Sequence, residues 1–177
     1  IWRNWRQTEP GQVEAVRAAP KPNGQPLQVA DGPAATFSYS AYAGRAGPAM
    51  DQIGLIMPTS LCSGQVARLI AKQLNANSAG DSSGRRYVAL VHTEGCGSVN
   101  AEDLYLRTLL GHLRHPSTRD AVLLEHGCEK VHNDAVRNFL EEEGEDISNY
   151  GWASVQLDGG LASVSAKVEE WFAQRDA

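Results

Sequence analysis

The chain is short of cysteine, of basic charge and of long apolar runs, and each shortage removes a class of function. Three cysteines in 177 residues are too few, and odd in number, for the disulfide framework of a small secreted domain. That leaves free thiols or metal ligands in a reducing compartment. Sixteen Lys and Arg against twenty-one Asp and Glu give a net charge of −5, and the two signs are interspersed, so there is no basic footprint for nucleic acid. No apolar run approaches the roughly 20 residues of a membrane span. The opening Ile1-Trp2-Arg3-Asn4-Trp5-Arg6 has no signal-peptide core. The expectation is a cytoplasmic protein with neither nucleic acid nor membrane as partner. Position 1 is not methionine, which points to a piece of a longer chain or a processed product.

Familiar motifs are missing as well. There is no Walker lysine motif and no Gly-x-Ser-x-Gly elbow, which argues against an α/β-hydrolase. Gly95-Cys96-Gly97 is only the beginning of a dinucleotide fingerprint and lacks the third glycine.

What the chain does have is one pattern used three times. Gly54-Leu55-Ile56-Met57-Pro58 leads to Thr59-Ser60-Leu61-Cys62. Val88-Ala89-Leu90-Val91 leads to His92-Thr93-Glu94-Gly95-Cys96. Ala121-Val122-Leu123-Leu124 leads to Glu125-His126-Gly127-Cys128-Glu129. Each is an apolar run of buried-strand type that ends in a polar turn bearing a cysteine. A fourth unit, Trp152 to Leu157, is followed by Gly159-Gly160, which either turns the chain or offers free amides to an anion.

Helical spacing fills the intervals. Val66, Leu69, Ile70 and Leu74 predict a helix over 63–76 with that stripe on the sheet. Leu106, Leu109, Leu110 and Leu113 predict one that starts near Asn100, an N-cap residue, and stops at Pro116. Val136, Phe139 and Leu140 mark a third over 133–142, and Leu161, Val164, Val168, Trp171 and Phe172 a fourth. Strands alternating with helices predict a three-layer α/β sandwich, Rossmann-like or flavodoxin-like, with a mostly parallel sheet of four or more strands. The natural strand order is 2-1-3-4, with the switch point between the first and third strands. Residues 1–50, interrupted by Pro20, Pro22, Pro26 and Pro33, read as an extended linker or arm leading into the domain at 51–177. An edge strand over Thr36–Tyr42 is the one element expected there.

Ligands of open parallel sheets bind at the carboxyl ends of the strands, so the three thiols should converge on one edge. Cysteine in an apolar context also reads as a small buried hydrophobe. Against that, Cys62 falls at a helix amino terminus, where the dipole favours thiolate, and glycine precedes both Cys96 and Cys128, allowing tight turns. His92 and His126, at the ends of the second and third strands, are candidate ligands or acid–base groups, with hydrogen-bonded structural histidines as the plainer reading. Glu94, Glu125 and Glu129 share the edge. His112, His115 and His132 read as solvated.

Four stretches together resemble the family of D-galactarate dehydratases and altronate dehydratases. They are Pro58-Thr59-Ser60-Leu61-Cys62, His92-Thr93-Glu94-Gly95-Cys96-Gly97, Arg107-Thr108-Leu109 with His115-Pro116, and His126-Gly127-Cys128-Glu129-Lys130. The resemblance implies the central α/β domain of a longer multidomain hydro-lyase that dehydrates a sugar acid to a 2-keto-3-deoxy acid. It implies a metal, typically iron, as Fe2+ or an iron–sulfur cluster, or another divalent ion. Cys62, Cys96, Cys128 and His92 are then the metal-ligand candidates, and His92, His126 and Glu129 the catalytic ones. The implied partners are a sugar acid and the enzyme's other domains, the isolated domain being inactive; a homo-oligomer is compatible with all of this. One departure stands out. Family members resemble Gly-Arg-x-Gly-x-Arg-Asn before the first strand, whereas this chain has Ala46-Gly47-Pro48-Ala49-Met50-Asp51-Gln52, with Arg45 as the nearby cation. The competing expectation is a noncatalytic Rossmann-like binding or assembly module that keeps its cysteines for packing.

Overall fold

In a computed structural model, the described residues are 38, 40–44, 47–79, 85–96 and 101–176. A small antiparallel hairpin comes first, β1 (Tyr42–Gly44) with β2 (Gly47–Ala49). Of the strand expected over Thr36–Tyr42, residues 36, 37 and 39 lie outside the described residues, Ser38, Ser40 and Ala41 are not in a strand, and only Tyr42 belongs to β1. The main body then runs β3 (Ile53–Pro58), α1 (Leu61–Asn77), β4 (Arg86–Ala89), α2 (Glu102–Leu113), β5 (Thr118–Glu125) and α3 (Asn133–Glu142). It ends with a short 3-10 turn (Ile147–Asn149), β6 (Tyr150–Ser154) and α4 (Leu161–Asp176).

The strands form one parallel sheet in the order β4-β3-β5-β6, the 2-1-3-4 order expected from the sequence. Side chains of a strand alternate between its two faces, and the central strands are apolar on both. Ile56, Val122 and Leu124 pack with Val66, Ile70 and Leu74 of α1 and with Val164, Val168 and Phe172 of α4. Leu55, Met57, Ala121 and Leu123 pack on the other side with Leu106, Leu109, Leu110 and Leu113 of α2 and with Val136 and Leu140 of α3. Two helices therefore cover each face, giving a three-layer α/β sandwich whose strands are buried on both sides, as parallel sheets require.

Several local expectations shift. Leu69 and Leu161 are 53% and 56% exposed, because the sheet-facing stripe of α1 runs through Val66, Ala67, Ile70 and Ala71 and that of α4 through Val164, Val168 and Phe172. Asn100 lies outside the described residues. The helix α2 begins at Glu102, with Ala101 in the cap position making no side-chain hydrogen bond, and Glu102 and Asp103 set against the positive helix end. The helix α1 starts at Leu61, two residues before the expected 63, because Ser60 caps it and exchanges hydrogen bonds with Ser63.

The sheet topology has a switch point. The chain leaves β3 towards β4 and later returns to β5 on the other side of β3, so β3 and β5 flank the switch point. Beyond their carboxyl ends lie Thr59–Cys62 and His126–Glu129.

Candidate metal centre

The loop after β3 is the middle of the site, and its neighbours are tied to it by the backbone. Thr59 N–H donates to Leu124 O at 2.9 Å and Leu61 N–H to Glu94 O at 2.9 Å. Ser60 then caps α1 and sets Cys62 in the first helical turn. From the β4 side, Gly95 adopts φ +89°, a conformation open to glycine at little cost. A Cβ there would lie 2.3 Å from Thr59 O. The absence of a side chain thus lets Cys96 approach the β3 loop. From the β5 side, Gly127 at φ +110° performs the same turn before Cys128.

The result is a cluster. The sulfur atoms of Cys62, Cys96 and Cys128 all lie within 4.8 Å of one another, with Cys62 Sγ 2.7 Å from Cys96 Sγ. All three are unbridged and exposed. The hydrogen bond from Cys96, desolvation and the charges of Cys96 and Cys128 push the Cys62 thiol up to about 12. A helix amino terminus favours thiolate, but for Cys62 the hydrogen bond with Cys96 and desolvation, followed by the neighbouring sulfurs, outweigh the dipole. A cation among them reverses the balance, since a metal ion is the largest local charge in such a site and binds the deprotonated thiol.

Glu129 holds the two loops of the switch point together. It is only 6% exposed, and its carboxylate accepts from His126 N at 2.7 Å, Gly127 N at 2.6 Å and Cys128 N at 2.8 Å. It also accepts from Ser60 Oγ at 2.8 Å and Thr59 Oγ1 at 3.1 Å. Burial alone would raise its pKa, but these donors outweigh it and hold the carboxyl down at about 2. Tyr105 adds a further tie, donating from its hydroxyl to Thr59 O at 2.7 Å. Burial, followed by the charges of Glu129 and Glu94, raises its phenol and keeps that proton in place.

The histidines separate into two kinds. His92 sits 2.7 Å from Pro58 O through Nε2 and accepts from Glu94 N at 3.2 Å through Nδ1. A carbonyl can only accept and an amide only donate, so Nε2 carries the proton and both nitrogens are committed to backbone. His92 is not part of the thiol cluster. His126 is: its Nδ1 lies 3.3 Å from Cys128 Sγ, and His126, Cys128 and Glu129 place ligating atoms within 4.8 Å. Among the other edge residues, Glu125 is buried and accepts from Asn133 N at 2.5 Å at the start of α3. His112, His115 and His132 are exposed.

Thr59, Ser60 and Tyr105 carry no site role in the sequence reading, although the first two stand in the stretch 58–62. The polar pair directly after an apolar strand was the available signal for the first two. Tyr105 was hidden inside a helix stripe that reads as ordinary core.

The segment around Asp51 lies elsewhere. It precedes β3 and pairs with Arg86 at the start of β4. That is the amino edge of the sheet, about 17 Å along a six-residue strand from the thiol edge.

Parallel sheet, switch point and gathered thiols define an α/β domain that presents soft ligating groups at the carboxyl edge of its central strands. Residues 52–175 match the family described as D-galactarate dehydratase/altronate hydrolase, second domain, and the chain belongs to that family. Membership sets it among the domains of sugar-acid dehydratases and related enzymes. No curated protein and no solved structure matches the chain. Among the described residues, no helix is long and apolar enough to cross a membrane.

Proposed function

We propose that this domain supplies the metal centre of a cytoplasmic hydro-lyase that converts a galactarate- or altronate-type sugar acid to a 2-keto-3-deoxy acid. The observation that carries the reading is the convergence of Cys62, Cys96 and Cys128 from three strand ends in a chain of this family. Thiolate donors suit iron and disfavour magnesium or calcium. Bonds of about 2.3 Å in a tetrahedral site place sulfurs about 3.8 Å apart, so one ion here would part Cys62 Sγ and Cys96 Sγ from their 2.7 Å, a movement open to exposed side chains. An iron–sulfur cluster spreads its ligands over separate irons. Bound here, the metal supplies a Lewis acid for the departing hydroxyl.

The reaction removes the proton α to the carboxylate and the hydroxyl at the β carbon; the resulting enol tautomerises to the 2-keto acid and water is released. His126 is the group in place to move a proton. It is half-buried beside Cys128, and Nε2 has no partner among the described residues. Glu129 and His92 act as positioning residues. The first ties the loops bearing Cys62 and Cys128, and the second fixes the segment leading to Cys96. The other domains of the enzyme complete the substrate enclosure.

The test is turnover by the whole protein, purified anaerobically, with galactarate and altronate. The reading expects 2-keto-3-deoxy acid from at least one of them and a loss of kcat of about 100-fold or more in His126→Ala. Unchanged kcat in that variant would remove His126 from the chemistry, and absence of product from either sugar acid would remove the reaction.

A further inference from the structure

A cleft of about 280 Å³ opens between the first two turns of α1 and the segment after β4. Leu61, Gln65 and Arg68 line it from the helix, and His92 and Thr93 from the other wall. Their spacing on α1 is i, i+4, i+7, one face of the helix. Gly64 allows the approach of the opposite wall, since a Cβ there would already meet Val91 at 3.4 Å. The cleft reaches the first turn of α1, where its lining residue Leu61 adjoins Cys62.

Arg68 is the unusual group in it. The other arginines of the described residues all have partners within the chain: Arg86, Arg107, Arg114, Arg119 and Arg137 pair with carboxylates, and Arg175 with Ser148 O and the Trp171 ring. Arg85 also has an interaction. Arg68 has none among the described residues, in a protein with an excess of acidic residues. An unpaired guanidinium facing a cleft is a fork that fits a carboxylate in two-pronged fashion. Gln65 and Thr93 add a carboxamide and a hydroxyl, which suit a polyol.

Position along the helix decides which carboxylate. Cys62 and Arg68 are six residues apart, a rise of about 9 Å, and helix side chains lean towards the amino terminus, here towards the thiols. A sugar monoacid carries its carboxylate next to the carbons that react. Only a diacid has a second carboxylate at the far end of the carbon chain. We infer that Arg68, with Gln65 and Thr93, forms the subsite for the distal carboxylate of a sugar diacid, so that the domain prefers an aldarate over an aldonate. This rests on the thiol edge being the reacting centre.

The experiment is titration calorimetry of the whole metal-loaded protein with galactarate and, separately, altronate, for the wild type, Arg68→Gln and Arg68→Lys. The expected result is tighter binding of galactarate than altronate by wild type, by about tenfold or more. Arg68→Gln loses that preference and leaves altronate within about twofold, while Arg68→Lys keeps part of it. Equal binding of the two acids by wild type, or an unchanged preference in Arg68→Gln, overturns the subsite. A diacid preference that depends on Arg68 in a protein that forms no 2-keto-3-deoxy acid upholds the subsite and removes the dehydratase reading instead.

Discussion

Glu129 shows how much a single carboxylate can organise. Five donors from two loops converge on it, so Glu129→Gln removes the charge and turns one acceptor into a donor facing donors. The expected loss is about 3 kcal/mol of unfolding free energy, measured by denaturant titration. The sign of the pH effect follows. The carboxyl titrates near 4.5 when unfolded and at about 2 when folded, so its contribution is complete above pH 4.5 and is lost as the pH falls towards 2. Glu129→Gln should therefore flatten the acid limb of the stability curve; a limb as steep as wild type would refute the clamp. At this scale the sequence was informative about sulfur and less so about its surroundings. Three cysteines after three apolar runs announced a shared edge, because strand ends of a parallel sheet share one. Whether His92 or His126 would join them depended on ring orientation, which only the hydrogen bonds to Pro58 and Glu94 decide.

Among the elements, glycine marks where two of them pack too closely for a side chain. A Cβ on Gly54 of β3 would meet the Tyr87 ring at 2.6 Å and Phe172 at 3.0 Å, so Gly54→Ala should cost about 1–3 kcal/mol through overpacking. Gly111, on the exposed face of α2, has nothing within 4 Å of the same position; Gly111→Ala should instead stabilise by about 0.5–1 kcal/mol through helix propensity. Denaturation midpoints of the two variants moving in the same direction would contradict this account of the packing. Strand and helix identities were readable because each central strand carries an unbroken apolar run, 55–58 and 121–124, and the helices carry clear stripes. Boundaries and facing were less so. The start of α1 is set by the Ser60–Ser63 exchange rather than by hydrophobicity, and Leu69 fits the helical period yet points outward.

In the whole molecule the two apolar cores and the thiol edge are separate. No cysteine belongs to either core cluster, so the sandwich should hold without metal. Chelation is expected to leave the far-ultraviolet circular dichroism unchanged and to lower Tm by a few degrees at most, the amount lost with a ligand that binds only the native state. Unfolding on chelation would instead make the metal part of the scaffold. The same separation gives meaning to the missing arginine–asparagine stretch: Asp51 sits at the amino edge with Arg86, away from the thiols, whereas Arg68 lies less than two turns along α1 from Cys62. The central claim is that the three thiols hold a metal ion, and iron analysis of anaerobically purified protein tests it most directly. The account predicts about one iron per chain in the wild type and none in Cys62→Ser/Cys96→Ser/Cys128→Ser. A metal-free wild type whose triple variant folds with equal stability would contradict it.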